Sequence, residues 1–260
     1  AARKETRALA EERAKHPSDD IETAPLDYLP KAWSEPYGTL QDTVYEVYDL
    51  QAIRIDGAAE HPTALVQSAA MASVPPPVPS YRPVLPKTLV RDGLLSAPQL
   101  ESVIYAGNAH ETHLKGLFKR GEIEGQLIAA AEGDEGAFRL RKGWFLGDGT
   151  GCGKGRQVAG IILDNWLQGR RRSVWVSKSD KLIEDARRDW MALGGRESDI
   201  VPLSKFRQGS DIRLPEGILF VTYATLRSAE REGKAARLEQ VTSWLGEGFD
   251  GVIAFDESHA

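Results

Sequence analysis

A glycine-rich loop that ends in a lysine stands near the middle of the 260-residue sequence. It reads Gly147-Asp148-Gly149-Thr150-Gly151-Cys152-Gly153-Lys154-Gly155-Arg156. Glycines at this spacing let the backbone curve around a phosphate group, so that successive N–H groups and the start of a following helix point at it. Lys154 then brings a mobile cation to the β- and γ-phosphates. Residues 148–156 are therefore predicted to bind a nucleotide, with a plain glycine-rich turn as the alternative.

The loop departs at two positions from the usual phosphate-loop pattern, Gly-x-x-x-x-Gly-Lys-Ser/Thr. Asp148 stands where the first Gly or Ala is expected, and Gly155 stands where a Ser or Thr normally binds Mg²⁺. Without that hydroxyl the metal needs water or another side chain, and Thr150 and Asp148 are the candidates nearest in sequence. Cys152 occupies a variable position of the loop, where no role as a nucleophile or redox group is expected.

A second chemical motif lies near the end of the chain. An apolar run over residues 249–255 ends in Asp256-Glu257-Ser258-His259. Phosphoryl transfer needs a metal anchor and a group that orients the attacking water. Asp256 fits the metal anchor, Glu257 fits the water-positioning base, and His259 is placed to couple the nucleotide state to the rest of the protein. An acidic strand end that caps a helix is the alternative.

Short apolar runs alternate with amphipathic stretches around these two motifs. The runs predict strands over residues 143–147, 173–177, 218–223 and 251–255. The amphipathic stretches predict helices over residues 156–168 and 181–193. Apolar strands that are separated by helices form a parallel sheet with helices packed on it, which predicts an α/β fold of the P-loop NTPase type. Ligands of such sheets bind at the carboxyl ends of the strands, so both motifs are predicted to meet at that edge.

The overall composition restricts the class of protein. Hydrophobic residues make up 41% of the chain, the net charge is −5, and the single cysteine can form no internal disulfide. No apolar run is long enough for a membrane span and no secretory leader is visible, so an intracellular protein is expected. The acidic net charge excludes a dedicated nucleic-acid-coating protein, which leaves nucleic-acid binding to local sites.

The composition also predicts three parts of the chain. Six of the twelve residues from 75 to 86 are proline, which favours extended backbone and predicts a stiff linker. Residues 1–74 carry no recognisable motif and are expected to form an N-terminal extension. Residues 87–260 then hold the nucleotide-binding unit. Because the acidic motif stands at the very end, the chain is expected to be a fragment of a larger protein.

The two motifs together resemble motifs I and II of superfamily 2 helicases and translocases. Three stretches are similar to the strawberry notch family in particular: residues 147–162, in which glycine replaces Ser/Thr after the loop lysine, residues 99–105 and residues 249–259. The resemblance covers residues 85–260 and implies a RecA-like first lobe of a DExH-type ATPase. In that family the glycine at position 155 is the normal residue, which favours a working site that uses ATP and Mg²⁺.

The resemblance implies further roles at other positions. Gln99 matches a glutamine that reads the adenine edge through one donor and one acceptor, with a surface helix glutamine as the alternative. Residues that follow two predicted strands match motifs that hold a nucleic-acid backbone. They are Ser177, Lys178, Thr222, Tyr223, Thr225 and Arg227. Ordinary loop capping is the alternative for their hydroxyl groups.

The resemblance thus implies the ATP-binding lobe of a nucleic-acid-dependent ATPase, with DNA favoured over RNA as the partner. Family members are transcription regulators in animals, and bacterial or phage relatives occur beside DNA methylases. In related motors an arginine from a second RecA-like lobe completes the site, so the chain alone is expected to hydrolyse ATP very slowly or not at all. Two other classes stay open: a P-loop kinase, which the glycine at 155 and the acidic motif disfavour, and a nucleotide-binding scaffold or transcription cofactor with little ATPase activity.

Overall fold

The computed structural model describes residues 16, 19, 21–34, 44–123, 125–227 and 236–258. The strands are β1 (Thr23–Pro25), β2 (Leu29–Pro30), β3 (Tyr45–Val47), β4 (Ile53–Arg54), β5 (Val66–Ser68), β6 (Val84–Pro86), β7 (Leu117–Arg120), β8 (Leu127–Ala130), β9 (Arg172–Ser177), β10 (Ile200–Pro202), β11 (Gly217–Thr222) and β12 (Val252–Phe255). The helices are α1 (Ala69–Ala72), α2 (Lys87–Arg91), α3 (Ala97–His110), α4 (Lys154–Leu167), α5 (Ile183–Met191), α6 (Tyr223–Leu226) and α7 (Arg237–Leu245). Within these residues, no helix is long and apolar enough to cross a membrane.

Four parallel strands form the central sheet, in the order β10-β11-β9-β12. β9 and β11 occupy the middle of the sheet and are buried along almost their whole length, as their apolar sequences predict. The register pairs Ser177 with Thr222 and Val176 with Phe255, so the carboxyl ends of three strands lie side by side. The predicted α/β fold with a parallel sheet is confirmed, and β10 is a strand that the sequence did not predict.

Helices cover both faces of this sheet. α4 and α5 pack on one face, where Trp166 and Trp190 are buried with their ring centroids 5.5 Å apart. α7 packs on the other face, where Trp244 contacts the core around Val174 of β9. Neighbouring residues of a strand point to opposite faces, so Trp175 belongs to the core under the first two helices. The sheet therefore separates two apolar cores.

The two helices beside the phosphate loop lie close to their predicted positions. α4 covers Lys154–Leu167, against a prediction of 156–168. α5 covers Ile183–Met191, against a prediction of 181–193, and a short 3₁₀ helix at Asp180–Leu182 precedes it. The apolar stripe of each segment located the helix correctly because that stripe packs on the sheet.

Residues 143–147 do not form the strand that their apolar sequence predicts. Trp144 instead stacks on Tyr105, with ring centroids 5.9 Å apart, and Phe145 is 80% exposed. A short apolar run becomes a strand only where its backbone finds a hydrogen-bonding partner, which the sequence pattern does not specify. In the described part of the chain, β12 is consequently an edge strand of the sheet, and its Phe255 is exposed.

The described segments upstream of α2 pack against the nucleotide-binding unit. Tyr28 and Ile53 are buried in the same apolar core as Leu100 of α3 and Ile162 of α4. These segments form short antiparallel strand pairs, β1 with β6, β2 with β4 and β3 with β5. The part of the predicted extension that the structure describes thus shares a core with the rest of the chain, while the three domain boundaries stay predictions.

The proline-rich segment is extended and is held along α3 and α4. Asp164 of α4 accepts hydrogen bonds from the Tyr81 hydroxyl at 2.5 Å and from the Val84 N–H at 2.6 Å. The Tyr105 hydroxyl of α3 donates to the carbonyl oxygen of Pro77 at 2.7 Å. These hydrogen bonds fix the segment to the two helices, in addition to the stiffness that proline imposes.

Candidate nucleotide site and strand-end cluster

The glycine-rich loop leads directly into α4, as the phosphate-loop prediction requires. Gly153 is the N-cap and has a φ of 70°, a left-handed conformation that favours glycine. A β-carbon at this position would also approach Nε2 of Gln99 to 2.5 Å. Nζ of Lys154 donates to the carbonyl oxygens of Asp148 and Gly149, at 2.9 and 3.0 Å. The ammonium group therefore lies against the loop, where a phosphate bound by the loop would meet it.

Two buried glutamines hold the loop in place. Gln99 accepts a hydrogen bond from the Ser96 N–H at 3.0 Å and donates to the carbonyl oxygen of Cys152 at 3.3 Å. Gln157 donates to the same carbonyl at 3.2 Å and to Oδ2 of Asp148 at 3.0 Å. Gln99 thus lies beside the loop, and its reading of adenine stays a prediction. Gln157 was missed by the sequence analysis, although its place one turn into α4 could have identified it.

The remaining loop residues differ in their surroundings. Thr150 and Gly151 are exposed. Arg156 bonds other parts of the protein: its Nε donates to Oδ1 of Asp189 on α5, and its Nη1 donates to the carbonyl oxygen of Leu94, both at 3.2 Å. The guanidinium group therefore ties the first turn of α4 to α5 and to the segment before α3. A direct contact between this arginine and the nucleotide stays a prediction.

The acidic motif follows β12 and lies beside two other strand ends. Oγ of Ser177 donates to Oδ2 of Asp256 at 3.2 Å, and the Tyr223 hydroxyl donates to the Asp256 carbonyl oxygen at 2.9 Å. Glu257 has a φ of 53° and is the one non-glycine residue with a positive φ in the described ranges. Left-handed backbone is costly for such a residue and is common at functional sites. His259 lies outside the residues that the structure describes.

The residues predicted to meet nucleic acid occupy the same edge of the sheet. Lys178 directly follows β9, Arg227 follows α6 after β11, and both side chains are exposed. Oγ1 of Thr222 accepts a hydrogen bond from the Thr225 N–H at 3.2 Å and contacts its hydroxyl at 2.9 Å. The two threonines therefore cap the short helix α6, which is the alternative considered for them. A contact between these two cations and nucleic acid stays a prediction.

α4 connects the loop with the acidic motif, because it begins at the loop and packs against β12. Mg²⁺ in nucleotide sites is commonly held by one or two carboxylates together with substrate phosphates. The half-buried carboxylate of Asp256, next to the hydroxyl of Ser177, is an oxygen ligand of the kind that this cation prefers.

A buried carboxylate lies behind the loop. Glu101 of α3 is 7% exposed and accepts a hydrogen bond from the Tyr48 hydroxyl. Burial raises the pKa of Glu101 to about 7, the Tyr48 hydrogen bond opposes this increase, and the negative charges of Asp49 and Asp148 add to it. The segment upstream of α2 therefore contributes to the electrostatics around the loop.

Glu101→Gln is expected to stabilise the protein in mildly alkaline solution. The folded-state pKa of about 7 exceeds the ordinary value of 4.5, so this proton stabilises the fold fully below pH 4.5 and less as the pH rises to 7. A neutral amide still accepts from the Tyr48 hydroxyl without a buried charge, so we expect a gain of up to about 3 kcal/mol. Urea unfolding of both proteins at about pH 5 and about pH 8 measures it. If the two proteins differed in free energy of unfolding by the same amount at both pH values, this explanation would be contradicted.

Comparison with known proteins extends these observations. A family model described as P-loop containing NTP hydrolase pore-1 matches residues 60–260. Strawberry notch homolog 1 of Gallus gallus is 36% identical over 214 residues, which cover 80% of this chain and 16% of the relative. Strawberry notch homolog 2 of Mus musculus is 40% identical over 202 residues, with coverages of 77% and 13%. Protein strawberry notch of Drosophila melanogaster is 36% identical over 225 residues, with coverages of 83% and 12%.

This chain spans between 12% and 16% of the length of these three relatives. A comparison with solved structures finds no match. The matched residues include the glycine-rich loop, the four-stranded parallel sheet and the acidic motif, so the comparison and the geometry agree. The chain belongs to the strawberry notch family, and its residues 60–260 form a P-loop NTPase domain.

Proposed function

We propose that this chain binds ATP with Mg²⁺ and is the nucleotide-binding lobe of a helicase- or translocase-like ATPase that acts on nucleic acid, DNA rather than RNA. The P-loop NTPase domain supports the nucleotide part of the proposal. One observation supports the link to nucleic acid: Asp256 is hydrogen-bonded both to Ser177, which ends β9, and to Tyr223, which directly follows β11. Strand ends of this kind are where a translocating nucleic acid would touch the lobe.

The proposed chemistry divides among a few groups. Lys154 and the N–H groups of the loop hold the phosphates. Asp256 holds Mg²⁺, which neutralises charge that develops on the phosphates when it is bound. Glu257 orients the attacking water and accepts its proton, and His259 couples this site to the rest of the protein. Gln99 lies beside the loop and is proposed to read the adenine ring.

In this proposal, bound nucleic acid affects ATP hydrolysis through the hydrogen bonds that join the strand ends to Asp256. A shift of Ser177 or Tyr223 reaches Asp256 through a single hydrogen bond. Burial raises the pKa of the Tyr223 hydroxyl, and the charges of Asp256 and Glu257 add to the increase, so the phenol lies near both carboxylates. Nucleic acid that moves these strand ends would therefore change the position of the metal anchor and of the base.

Nucleic acid is expected to bind this edge mainly through its phosphates. Residues 170–196 carry eight basic and four acidic side chains, so a local positive stretch exists despite the net charge of −5. Lys178→Glu should weaken binding about tenfold and reduce the salt slope of log K by about one, because one phosphate contact is lost. Fluorescence anisotropy of labelled single-stranded DNA, titrated at several salt concentrations, measures both quantities.

Lys115→Glu is the matched control, because Lys115 is also an exposed lysine but precedes the β7–β8 hairpin, outside the parallel sheet. It should leave the affinity within about twofold of the unchanged chain. If Lys178→Glu leaves affinity and salt slope intact, or if the two variants behave alike, the strand-end surface is not where nucleic acid binds.

A nucleotide-binding scaffold or transcription cofactor with little hydrolysis is the second candidate function, and Gly155 favours it because a metal-binding hydroxyl is missing. We also propose that residues 1–260 alone turn ATP over slowly, because the arginine that second lobes supply in related motors is worth about 10³–10⁵ in rate. Steady-state turnover of a full-length strawberry notch protein, measured with single- and double-stranded DNA and RNA, separates the candidates, because slow turnover by residues 1–260 alone is expected under both. Stimulation by nucleic acid supports the motor, whereas ATP binding without stimulated turnover supports the scaffold.

A further inference from the structure

Gly155 and Asp189 occupy complementary positions at the start of α4. A β-carbon on Gly155 would come within 3.0 Å of Oδ2 of Asp189, a distance that real β-carbons essentially never show. The carboxylate of α5 thus fills the space that a serine or threonine side chain at position 155 would take. The glycine at position 155 therefore leaves the space that the Asp189 carboxylate occupies.

Among the residues that the structure describes, only one oxygen of this carboxylate takes part in a hydrogen bond. Oδ1 accepts from Nε of Arg156 at 3.2 Å, while Oδ2 accepts no hydrogen bond within the described residues. The Asp189 side chain is only 18% exposed. Burial raises the pKa of Asp189, and Arg156 opposes that shift. A cation next to Oδ2 would offset the remaining cost of the buried charge.

We propose that Asp189 supplies an oxygen ligand to the nucleotide-bound Mg²⁺, in the place that the hydroxyl after the loop lysine takes in other P-loops. This proposal rests on the proposed binding of ATP with Mg²⁺. A serine hydroxyl would lie one bond beyond the β-carbon of residue 155, close to where Oδ2 stands. Carboxylate oxygens are preferred ligands of Mg²⁺, so Asp189 replaces the missing group with one of suitable chemistry.

A purely structural role for Asp189 is the competing explanation, because its ion pair with Arg156 holds α4 against α5. Asp189→Asn separates the two roles, since the amide oxygen can still accept from Arg156 but carries no charge. The affinity of Mn²⁺, used as a paramagnetic probe in place of Mg²⁺, is measured by electron paramagnetic resonance in the presence of ADP. ADP affinity in EDTA is measured in parallel.

Asp189→Asn is expected to weaken Mn²⁺ binding to the ADP complex by about tenfold or more and to leave the metal-free ADP affinity unchanged. Asp185→Asn is the matched control, one turn earlier on α5 and paired with Arg188 on the surface, and should change neither quantity. The double variant Gly155→Ser/Asp189→Ala supplies a hydroxyl where the carboxylate is removed, and should recover most of the lost Mn²⁺ affinity.

Unchanged Mn²⁺ affinity in Asp189→Asn would overturn the inference. So would an equal loss of ADP affinity in EDTA, because that loss would show a structural effect on the loop. If the unaltered chain bound neither ADP nor ADP with Mn²⁺, the proposed function itself would fail and the inference with it. If the chain bound ADP with Mn²⁺ and Asp189→Asn made no difference, only the inference about Asp189 would fail.

Discussion

Lys154→Ala is expected to weaken the binding of ATP and ADP, each with Mg²⁺, by roughly ten- to a hundredfold. The lysine ammonium lies against the loop, where it donates to the carbonyl oxygens of Asp148 and Gly149. A bound nucleotide would gain a charge-assisted hydrogen bond from it, and the loss of such a bond costs about 1.5–3 kcal/mol. Titration with a fluorescent ADP analogue, followed by competition with ATP, measures the change.

Lys142→Ala serves as the control for the Lys154 variant. Lys142 is an exposed lysine upstream of the same loop, so its removal changes the net charge equally. Its nucleotide affinity should stay within about twofold of the unchanged chain, because exposed charges at a distance are screened. Nucleotide affinity that survives Lys154→Ala undiminished would show that residues 148–156 are a structural turn and not a phosphate-binding loop.

Glu257→Gln, made in a protein that also carries the proposed second lobe, is expected to lower the rate of ATP hydrolysis by about 10²–10⁴ while leaving nucleotide affinity unchanged. The amide can still hydrogen-bond to water, but it cannot accept the proton that the attacking water gives up. Glutamine has the same length and the same backbone preferences, so the φ of 53° at this position costs the same in both proteins. Single-turnover hydrolysis of radiolabelled ATP, with the protein in excess, detects rates far below those seen at steady state.

Glu247→Gln is the matched change for the Glu257 experiment, because Glu247 is an exposed glutamate in the loop that leads to the opposite end of β12. It should leave the hydrolysis rate unaltered. Two results would remove Glu257 from the proposed mechanism: a rate that is unaffected by the substitution, or a rate that falls only because the nucleotide no longer binds. In the second case the residue at position 257 would be needed to maintain the conformation of the nucleotide site and not for the chemical step.

The sequence by itself was enough to locate the loop, helix and strands whose signals come from residues close together in the chain. The glycine spacing and Lys154 predicted a loop that starts a helix, and α4 begins at that lysine. The apolar runs at 173–177 and 218–223 predicted buried strands, which the structure contains as β9 and β11. The acidic motif was correctly predicted to follow a strand at the same edge as Ser177. Periodicity and turn chemistry involve residues close in sequence, so they can be read without knowledge of distant contacts.

Tertiary structure decided every feature that depends on which distant segments meet. The run at 143–147 looked like a strand, yet no neighbouring strand accepts it in the described residues. The proline-rich segment looked like a spacer, yet Asp164 holds it against α4. Gly155 looked like the loss of a ligand, and the fold places the Asp189 carboxylate in the space beside it, which no local pattern predicted. Contacts between residues far apart in the chain decide which strands pair, which buried polar groups find partners and how side chains pack. Patterns read along the sequence do not show which distant residues meet.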